Sequence, residues 1–452
     1  MTGATRTLVR FVTTISVDDI PDEVRARALA LVTDLAGSAI RAATDCESSP
    51  VILAMVERLG LSGEGPCTVF GMTRRFGAGA AALLNGAFGH SLDFDDTHAD
   101  SSLHPSAPVV PAALAAAELA DASGPELLAA IVTGFETCCR IGMALDPTAH
   151  YARGFHPTAT AGVFGAAAAA GRLLGLDADR MEAAFGAAAS QASGSLQFLE
   201  NGAWNKRYQV GEAAMKGLMA ATLAAEGFVG ASNALEGKHG FLSGYSDGAQ
   251  AARVTADLGT VWETMRIGVK PYPACRYTHA AVDGLLQLKR AHGWAGEDVT
   301  AVTVGLHRNG IALVGAPLAD KQRARSVVEG QFSMPFAAAV ALIRDGFGWD
   351  DYDLLGDPQA DLISARVNVV RDTSLEGLRH PFGAVLQVEA AGRTHDLRIP
   401  DPSGEPETFP DADAIARKFT ALTGPVTNGG AEAWLERLAG LSTAPSVRAL
   451  FG

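Results

Sequence analysis

The sequence predicts a mostly α fold in which a large all-helical domain is joined to a smaller α+β second domain. From about Val17 to Met265 the chain is rich in alanine and leucine, and its apolar residues recur at helical spacing. After Gly268 short alternating segments typical of strands appear, and helical spacing returns near the C-terminus. We therefore expect a helical domain at residues 1–267, an α+β domain at 268–405, and C-terminal helices at 406–452 that return to the helical domain.

Five segments of the first region have the composition and spacing of helices. Several of them begin or end at Asp, Pro or Gly, which commonly mark helix ends. Many have almost no polar face, and a helix without a polar face is buried on all sides. Because alanine and glycine let such helices approach closely, this region predicts a layered helical core. The segments are Pro108–Ala120, Pro125–Met143, Ala159–Leu174, Asp179–Ala192 and Gly211–Glu226.

Alternating apolar residues predict four strands in the second region. In the first of them Val302, Val304 and Leu306 fall on one face, as a half-buried strand requires. The third and fourth are expected to pair antiparallel, with a turn around Gly392. The predicted strands are Ala301–Leu306, Ile363–Val369, Ala384–Glu389 and Thr394–Ile399, and a predicted helix between the first two is Phe332–Arg344.

The charge balance excludes one large class of function. The 452 residues include 36 Lys and Arg against 50 Asp and Glu, which gives a formal net charge of −14 and a pI near 5.2. An acidic protein repels polyanions, and nucleic-acid binding would need a large basic patch, which the sequence lacks. We therefore expect no nucleic-acid partner. The hydrophobic content of 48% is enough for a sizeable buried core.

The cysteines and the apolar stretches limit which cofactors the protein is expected to hold and where in the cell it is expected to be. The five cysteines are scattered and have no Cys-x-x-Cys spacing, which disfavours a disulfide framework, a zinc knuckle and an iron–sulfur ligand set. The segment MTGATRTLVRFVTTISVDD lacks the apolar core and cleavage site of a secretory signal. The uncharged apolar stretch Ala161–Gly171 is shorter than the ~18 residues that a membrane span needs. These features predict a cytoplasmic protein without a membrane crossing.

The densest polar cluster is HSLDFDDTHADSSLHPSAP, which lies between two apolar helices. Polar groups between buried helices are costly unless they find partners. The segment is therefore either a lined cavity or a solvated loop in which Asp93 and Thr97 cap helices. Its polar residues are His90, Asp93, Asp95, Asp96, Thr97, His98, Asp100 and His104.

A second cluster repeats one feature of the first. In GFHPTATAG, His156 and Pro157 stand directly before an apolar helix, as His104 and Pro105 stand before another. Proline in the first turn fixes the start of a helix and leaves the histidine beside positively polarised N–H groups. One such histidine is more often structural, but two of them predict a pair of proton carriers that act near neutral pH.

Basic residues near the predicted domain boundary are candidates for binding a carboxylate. Lys206 and Arg207 precede a helix, and Lys270, Arg276 and His279 lie where the sequence pattern changes. Arginine suits bidentate contact with a carboxylate, and pockets commonly form beside domain boundaries. The alternative for each of these residues is a surface ion pair.

Two motifs indicate other functions but lack the required context. The segment Gly77–Ala82 loosely matches a dinucleotide-binding fingerprint, yet no parallel strand–turn–helix unit surrounds it. The four aspartates of the first cluster suit a magnesium-binding patch, as in a helical isoprenoid-type enzyme. The interleaved histidines and the lack of a second acidic motif make a metal site the minority hypothesis. Those aspartates are Asp93, Asp95, Asp96 and Asp100.

Five motifs together resemble the MmgE/PrpD family, whose members include 2-methylcitrate dehydratase, cis-aconitate decarboxylase and iminodisuccinate epimerase. The motifs occur in the family's order and spacing, and the resemblance extends from about Thr14 to Phe419. It implies a homodimer without a cofactor or a metal, in which the N-terminal part and the C-terminal tail form a helical domain and the second region forms a lid. The motifs are HSLDFDDTHADSSLHPSAPVVPA, RGFHPTATAGVFGAA, WNKRYQVGEAAMKG, KPYPACRYTHAAVDG and EGQFSMPFAAAVALIRDG.

The resemblance also implies a pocket between the domains and a role for each residue that lines it. Two histidines would exchange protons with a carbon next to a substrate carboxylate, and lysines would stabilise the enolate-like species that results. This hypothesis requires the imidazoles of His104 and His156 to lie close together. The expected catalytic residues are His104, His156, Lys206, Lys270 and Asp93, and the expected substrate-binding residues are Thr97, Arg207, Cys275, Arg276 and His279.

Two departures from the cis-aconitate decarboxylase pattern, and one from several other relatives, guide the choice of substrate. The chain has Cys275 where that branch has histidine, Phe336 where it has tyrosine, and Gln209 where several relatives have histidine. Decarboxylation needs a donor that protonates the carbanion left by loss of CO₂, so altered polar positions count against it. The sequence therefore favours dehydration of a small hydroxylated di- or tricarboxylate such as 2-methylcitrate. Epimerisation or decarboxylation is the alternative, and a relative that keeps the fold without the chemistry is a separate class.

Overall fold

The computed structural model describes residues 3–376 and 381–451. It is 58% helical and 8% strand, which is compatible with a mostly α protein that carries an α+β part. The chain divides into two compact units. Unit 1 comprises Met1–Ser91, Asp95–Val269 and Pro410–Gly452, and unit 2 comprises Leu92–Phe94 and Lys270–Phe409.

Unit 1 is built from helices and one short antiparallel ribbon. Alanine, leucine and glycine fill many of its buried positions. Its helices before the second unit are Ala4–Thr14 (α1), Asp22–Asp45 (α2), Ser48–Arg58 (α3), Ala78–Gly89 (α4), Ser106–Ala120 (α5), Gly124–Ala144 (α6), Pro147–Ala152 (α7), Pro157–Thr160 (α8), Gly162–Leu173 (α9), Ala178–Ala189 (α10), Asn205–Ala225 (α11) and Phe241–Tyr245 (α12). The ribbon pairs Thr97–His98 (β1) with Ile267–Gly268 (β2).

Close helix contacts in unit 1 depend on glycine. Helix α11 packs against both α4 and α9. Where α4 and α11 cross, a Cβ atom on Gly86 would lie 2.8 Å from the Cα atom of Gly211, a distance that real side chains do not adopt. Both positions therefore need glycine for this approach, as the small-residue composition predicted. The contact places the C-terminal end of α4 beside the first turns of α11.

Unit 2 contains a four-stranded sheet in the order β4–β3–β5–β6. The β3 and β4 strands run parallel, and the β3–β5 and β5–β6 pairs are antiparallel. Burial alternates along β5, and α13 packs on β5 and β6. The strands are Val299–Leu306 (β3), Val367–Arg371 (β4), Ala384–Ala390 (β5) and Arg393–Ile399 (β6), and the helices are His279–His292 (α13), Arg308–Gly310 (α14), Leu318–Lys321 (α15), Val327–Gln331 (α16), Met334–Ile343 (α17) and Pro358–Ser364 (α18).

Two predicted elements are wrong in detail. The strand predicted at Ile363–Val369 begins later, because α18 occupies the chain through Ser364. That helix has a strong start signal that the alternation concealed, since the Asp357 carboxylate accepts hydrogen bonds from the backbone of its first turn and a proline follows. The helix predicted at Ala159–Leu174 is two helices, α8 and α9.

One helix of unit 1 resembles a membrane span by composition alone. Among the described residues, α6 is long and apolar enough to cross a membrane, but 94% of its most apolar window is buried inside the protein, as is usual for a core helix. Ser123 caps the helix, since its hydroxyl accepts a hydrogen bond from the Glu126 backbone N–H, and a proline lies in the first turn.

The C-terminal tail contributes a buried cation to unit 1. Its helices are Ala412–Thr423 (α19), Ala431–Gly440 (α20) and Val447–Phe451 (α21), and α19 packs against α2. The ammonium of Lys418 on α19 lies 2.7 Å from the carboxylate of Asp34 on α2, and their side chains are 13% and 1% exposed. A pair this deep ties the tail to the N-terminal part, because either charge alone would be costly to bury.

We predict that Lys418→Met lowers the free energy of unfolding by about 3 kcal/mol, because it leaves the Asp34 carboxylate buried without its cation. Urea denaturation followed by circular dichroism measures the change. The double variant Asp34→Asn/Lys418→Met should recover part of the loss, and Arg74→Met, which breaks the exposed pair with Glu57, should cost about 1 kcal/mol or less. Equal losses for Lys418→Met and Arg74→Met would contradict the prediction.

Candidate active site

A buried carboxylate between two imidazoles lies at the centre of the first polar cluster. The Oδ2 atom of Asp95 is 2.6 Å from Nδ1 of His90 and 3.4 Å from Nδ1 of His104. The side chains of His90 and Asp95 have no exposed surface, whereas the His104 side chain is 14% exposed. His90 caps the C-terminal end of α4, and His104 stands just before α5. Two helix ends therefore hold the three groups together.

The two imidazoles determine the charge of Asp95. Burial alone would raise the pKa of a carboxyl group, but the charges of His90 and His104 and their hydrogen bonds outweigh burial and hold the pKa of Asp95 well below its usual range. Asp95 is therefore ionised at neutral pH. An ionised carboxylate in a water-excluded position stabilises positive charge on a neighbouring imidazole.

His156 lies against the same cluster. It is the N-cap residue of α8, as its position before Pro157 predicted. Its ring stacks on His90 with 5.8 Å between ring centroids, and the His90 ring meets the His104 ring at 4.7 Å. The structure thus brings His104 and His156 together around a third imidazole, the arrangement that the sequence hypothesis required.

The environment of His156 differs from that of His104. Burial, followed by the positive charges of His90, Lys206 and His104, lowers the pKa of His156 well below its usual value, and Asp95 offsets only part of this. His156 is therefore neutral at neutral pH. Its Nδ1 atom lies 2.8 Å from the amide Nε2 of Gln209 on α11.

The acidic residues of the first cluster have separate partners, which disagrees with a shared magnesium patch. Asp96 accepts hydrogen bonds from the backbone and hydroxyl of Ser106 and so caps α5. Burial and the charge of Asp95 raise the pKa of Asp96 well above its usual value. Asp93 pairs with Lys270, and the carboxylate of Asp100 lies 4.0 Å from Arg266. The solvated-loop alternative assigned helix capping to Asp93 and Thr97. In the structure the carboxylate that accepts from the start of α5 is that of Asp96.

His90, Asp95 and His104 also form a group of three possible metal ligands, with donor atoms within 4.8 Å of one another. Two donors that bind one tetrahedral ion at about 2.0–2.1 Å are separated by roughly 3.3 Å. The 2.6 Å between His90 Nδ1 and Asp95 Oδ2 is shorter and is typical of a charge-assisted hydrogen bond. The geometry therefore fits a hydrogen bond better than a bound ion.

In unit 2, Lys270 and Asp93 form a buried pair. The Lys270 ammonium lies 3.1 Å from the Asp93 carboxylate and donates to the Asp93 carbonyl at 2.9 Å, and both side chains are at most 3% exposed. Asp93 has a φ of 52°, a left-handed conformation that aspartate tolerates better than most residues. Lys270 and Asp93 were both predicted site residues, and the structure brings them together.

The other predicted residues of unit 2 bond mainly to one another. The guanidinium of Arg276 pairs with the Glu405 carboxylate at 2.7 Å and lies 3.2 Å from Nδ1 of His279. Burial, then the charges of Arg276 and Lys270, lowers the pKa of His279 well below its usual value. Cys275 is buried, and its backbone N–H donates to the Gln331 carbonyl. For Arg276 this arrangement favours an ion pair over carboxylate binding.

The remaining predicted residues lie in unit 1. Lys206 is in the first turn of α11, and its charge contributes to the low pKa of His156. Arg207 is buried and directs a guanidinium nitrogen to the Cys46 sulfur at 3.1 Å and to the Ser48 hydroxyl at 3.2 Å. Thr97 is in the β1 strand and is 9% exposed.

Sequence reasoning did not select three residues that the geometry makes central: His90, Asp95 and Gln209. His90 and Asp95 were visible as members of the polar cluster, but nothing in a linear pattern shows which aspartate meets which histidine. Gln209 was noticed as a departure from related sequences. Its contact with His156, 53 residues away, is a property of the fold.

Two family domains match the chain: the MmgE/PrpD N-terminal domain at residues 6–253 and the MmgE/PrpD C-terminal domain at residues 272–438. A cis-aconitate decarboxylase-like protein of Aspergillus oryzae is 31% identical over 94% of this chain and 91% of that protein. A cis-aconitate decarboxylase of Aspergillus terreus is 34% identical over 64% of this chain and 61% of that protein. The cis-aconitate decarboxylase of Homo sapiens is 30% identical over 46% of this chain and 44% of that protein. The matches to the A. terreus and human enzymes therefore span less than two thirds of those proteins.

We predict that His156→Gln weakens the loss of stability in acid. The folded-state pKa of His156 lies below its ordinary value of 6.5, so unfolded chains bind a proton that folded chains exclude once the pH falls below about 6.5. This residue alone then reduces the free energy of unfolding by up to about 1.4 kcal/mol per pH unit, and the variant lacks that contribution. Urea denaturation at pH 7.5, 6.0 and 5.0 measures the difference. Parallel curves for the two proteins would contradict the assignment.

Proposed function

The chain belongs to the MmgE/PrpD family, and from that membership we propose that it is a cofactor-independent lyase for a small di- or tricarboxylate. One observation carries the proposal: a buried, ionised Asp95 lies beside His104, the most exposed of three clustered imidazoles. Asp95 stabilises a proton on His104, and the second ring nitrogen of His104 is then suited to exchange a proton with substrate. His90 and Asp95 are fully buried and act through His104 rather than on the substrate.

Decarboxylation of a substrate like cis-aconitate is the first activity to test, because the relatives named above include cis-aconitate decarboxylases. In that reaction a carbon–carbon bond breaks, CO₂ leaves, and the electron pair enters a conjugated enolate-like system. His104 then delivers a proton to carbon. Atoms and charge balance without an oxidant or a cofactor, and a positioned acid contributes about 10²- to 10⁴-fold to such a step.

Dehydration of a substrate like 2-methylcitrate, the first choice from the sequence, becomes the second candidate. Elimination of water needs a base that removes a proton from carbon and an acid that protonates the departing hydroxyl. The cluster contains more than one imidazole, which supports this activity as well. The carbon–hydrogen and carbon–oxygen bonds break, a double bond forms, and water leaves.

Fixed positive charge is the second requirement of either reaction, because the intermediate carries negative charge next to carboxylates. Lys206 at the start of α11 is the proposed source of this charge in unit 1. Lys270, which pairs with Asp93, stays a predicted site residue of unit 2. We assign Thr97 to hydrogen bonding with substrate. Arg207 and Arg276 are less suited to bind substrate, because their guanidinium groups bond to buried partners within the protein.

We predict that His104→Gln lowers the turnover rate by about 10²-fold or more while the protein stays folded. The assay incubates the protein in D₂O with cis-aconitate, citrate, 2-methylcitrate and iminodisuccinate, each followed by NMR. Release of CO₂, loss of water, inversion and deuterium uptake are separately visible. The variant His292→Gln, on the surface of unit 2, is the matched control and should keep the wild-type rate. A near-normal rate for His104→Gln with an unchanged circular dichroism spectrum would remove His104 from the mechanism.

We also expect turnover to survive removal of metal ions. The contact between His90 and Asp95 fits a hydrogen bond rather than two ligands of one ion, so dialysis against a chelator should leave kcat unchanged. Metal analysis of the dialysed protein serves as the control for complete removal. Loss of activity that one divalent ion restores would instead assign His90, Asp95 and His104 to a metal site.

A further inference from the structure

The orientation of the Gln209 side-chain amide follows from its neighbours. Gln209 is buried on α11, and its Oε1 atom lies 3.1 Å from the backbone nitrogen of Ser195. A backbone N–H can only donate, so the atom that faces Ser195 must be the amide oxygen. The amide nitrogen of Gln209 therefore faces Nδ1 of His156, at 2.8 Å.

This orientation fixes the tautomer of His156. An amide NH₂ group only donates, so Nδ1 of His156 must accept. A neutral imidazole that accepts at Nδ1 carries its hydrogen on Nε2. The charged or titratable groups that act on His156 are His90, His104, Lys206 and Asp95, and together with burial they keep its pKa well below the usual value, so the ring stays neutral.

A backbone segment that requires glycine holds both partners in place. The carbonyl of Gly194 accepts a hydrogen bond from the backbone N–H of His156, and the next N–H, from Ser195, is the one that orients Gln209. Gly194 has a φ of 146°, and a Cβ atom there would lie 2.7 Å from the Cβ of Ala159. Only glycine fits at position 194, and the backbone there holds both His156 and Gln209 through hydrogen bonds.

We propose that Gln209 is a positioning residue that locks His156 as the neutral Nε2–H tautomer, so that His156 donates a hydrogen bond to a substrate oxygen while His104 exchanges the proton with carbon. The inference rests on the proposed function and assigns separate roles to its two histidines. A neutral imidazole is a suitable donor to a developing oxyanion, because it stabilises the charge without giving up its proton. It is a poor base at Nε2, since that nitrogen has no available lone pair.

Nitrogen NMR on protein labelled with ¹⁵N-histidine tests the tautomer directly. The His156 resonances are identified by their absence from His156→Gln. In the wild type, between pH 5 and 8, we expect the proton on Nε2 and a bare Nδ1. A wild-type His156 with its proton on Nδ1, or a ring protonated on both nitrogens at pH 7, would overturn the proposal without any activity measurement.

Two substitutions of similar size separate positioning from packing. In Gln209→Glu one carboxylate oxygen still accepts from Ser195, and the other now requires a proton on Nδ1 of His156. The ring then retains an Nε2–H only while it is a cation. The rate should therefore fall by about 10²-fold as the pH rises through the titration of His156, in addition to the loss of rate that deprotonation of His104 causes in both proteins. In Gln209→Met the side chain requires no proton on Nδ1 of His156. This variant should lower the rate without the additional pH dependence.

The results distinguish this inference from the proposed function. If Gln209→Glu keeps the wild-type tautomer and the wild-type pH profile, Gln209 does not position His156 and the inference fails. If the wild type converts none of the four carboxylates, the proposed function fails, and the NMR measurement still decides whether Gln209 fixes the tautomer.

Discussion

The burial of an ionised Asp95 constrains much of unit 1. A carboxylate removed from water costs several kcal/mol unless cations and donors surround it. The partners come from two helix ends, His90 after α4 and His104 before α5, so both ends must be held close to Asp95. The close crossing of α4 on α11 and the capping of α5 by Asp96 provide that placement. The dense polar motif is therefore a set of separately partnered groups rather than a solvated loop.

The two histidines differ because their neighbours differ. His104 faces an anion, whereas His156 faces a neutral amide and nearby positive charge. Environments of this kind separate acid and base roles between residues of the same type. His90 lies between the two rings and contacts both, so a change in its charge affects each of them. The cluster therefore acts as one coupled system.

The sequence predicted a mostly α fold and a set of candidate site residues, but not the contacts of those residues. Apolar helices and the paired strands β5 and β6 were predictable because their periodicity is local. The strand predicted from Ile363 was partly wrong because alternation over a few residues also fits a helix end. His104 and His156 were predictable because each precedes a proline at a helix start. Arg207 and Arg276 read as equal candidates for substrate binding, and only the tertiary structure shows that each bonds to buried internal partners.

The expected departures from related sequences do not carry equal weight. The Phe336 ring stacks on Tyr352, with 5.7 Å between ring centroids, and is buried in an aromatic cluster of unit 2. The expected change from tyrosine to phenylalanine at this position therefore lies among packed rings. Gln209, by contrast, bonds directly to a histidine of the cluster. Proteins that share a fold can catalyse different reactions because a few side chains at the site differ. A histidine at position 209 could accept or donate toward His156, whereas glutamine in this orientation can only donate. Position 209 is therefore expected to act on the proton of His156.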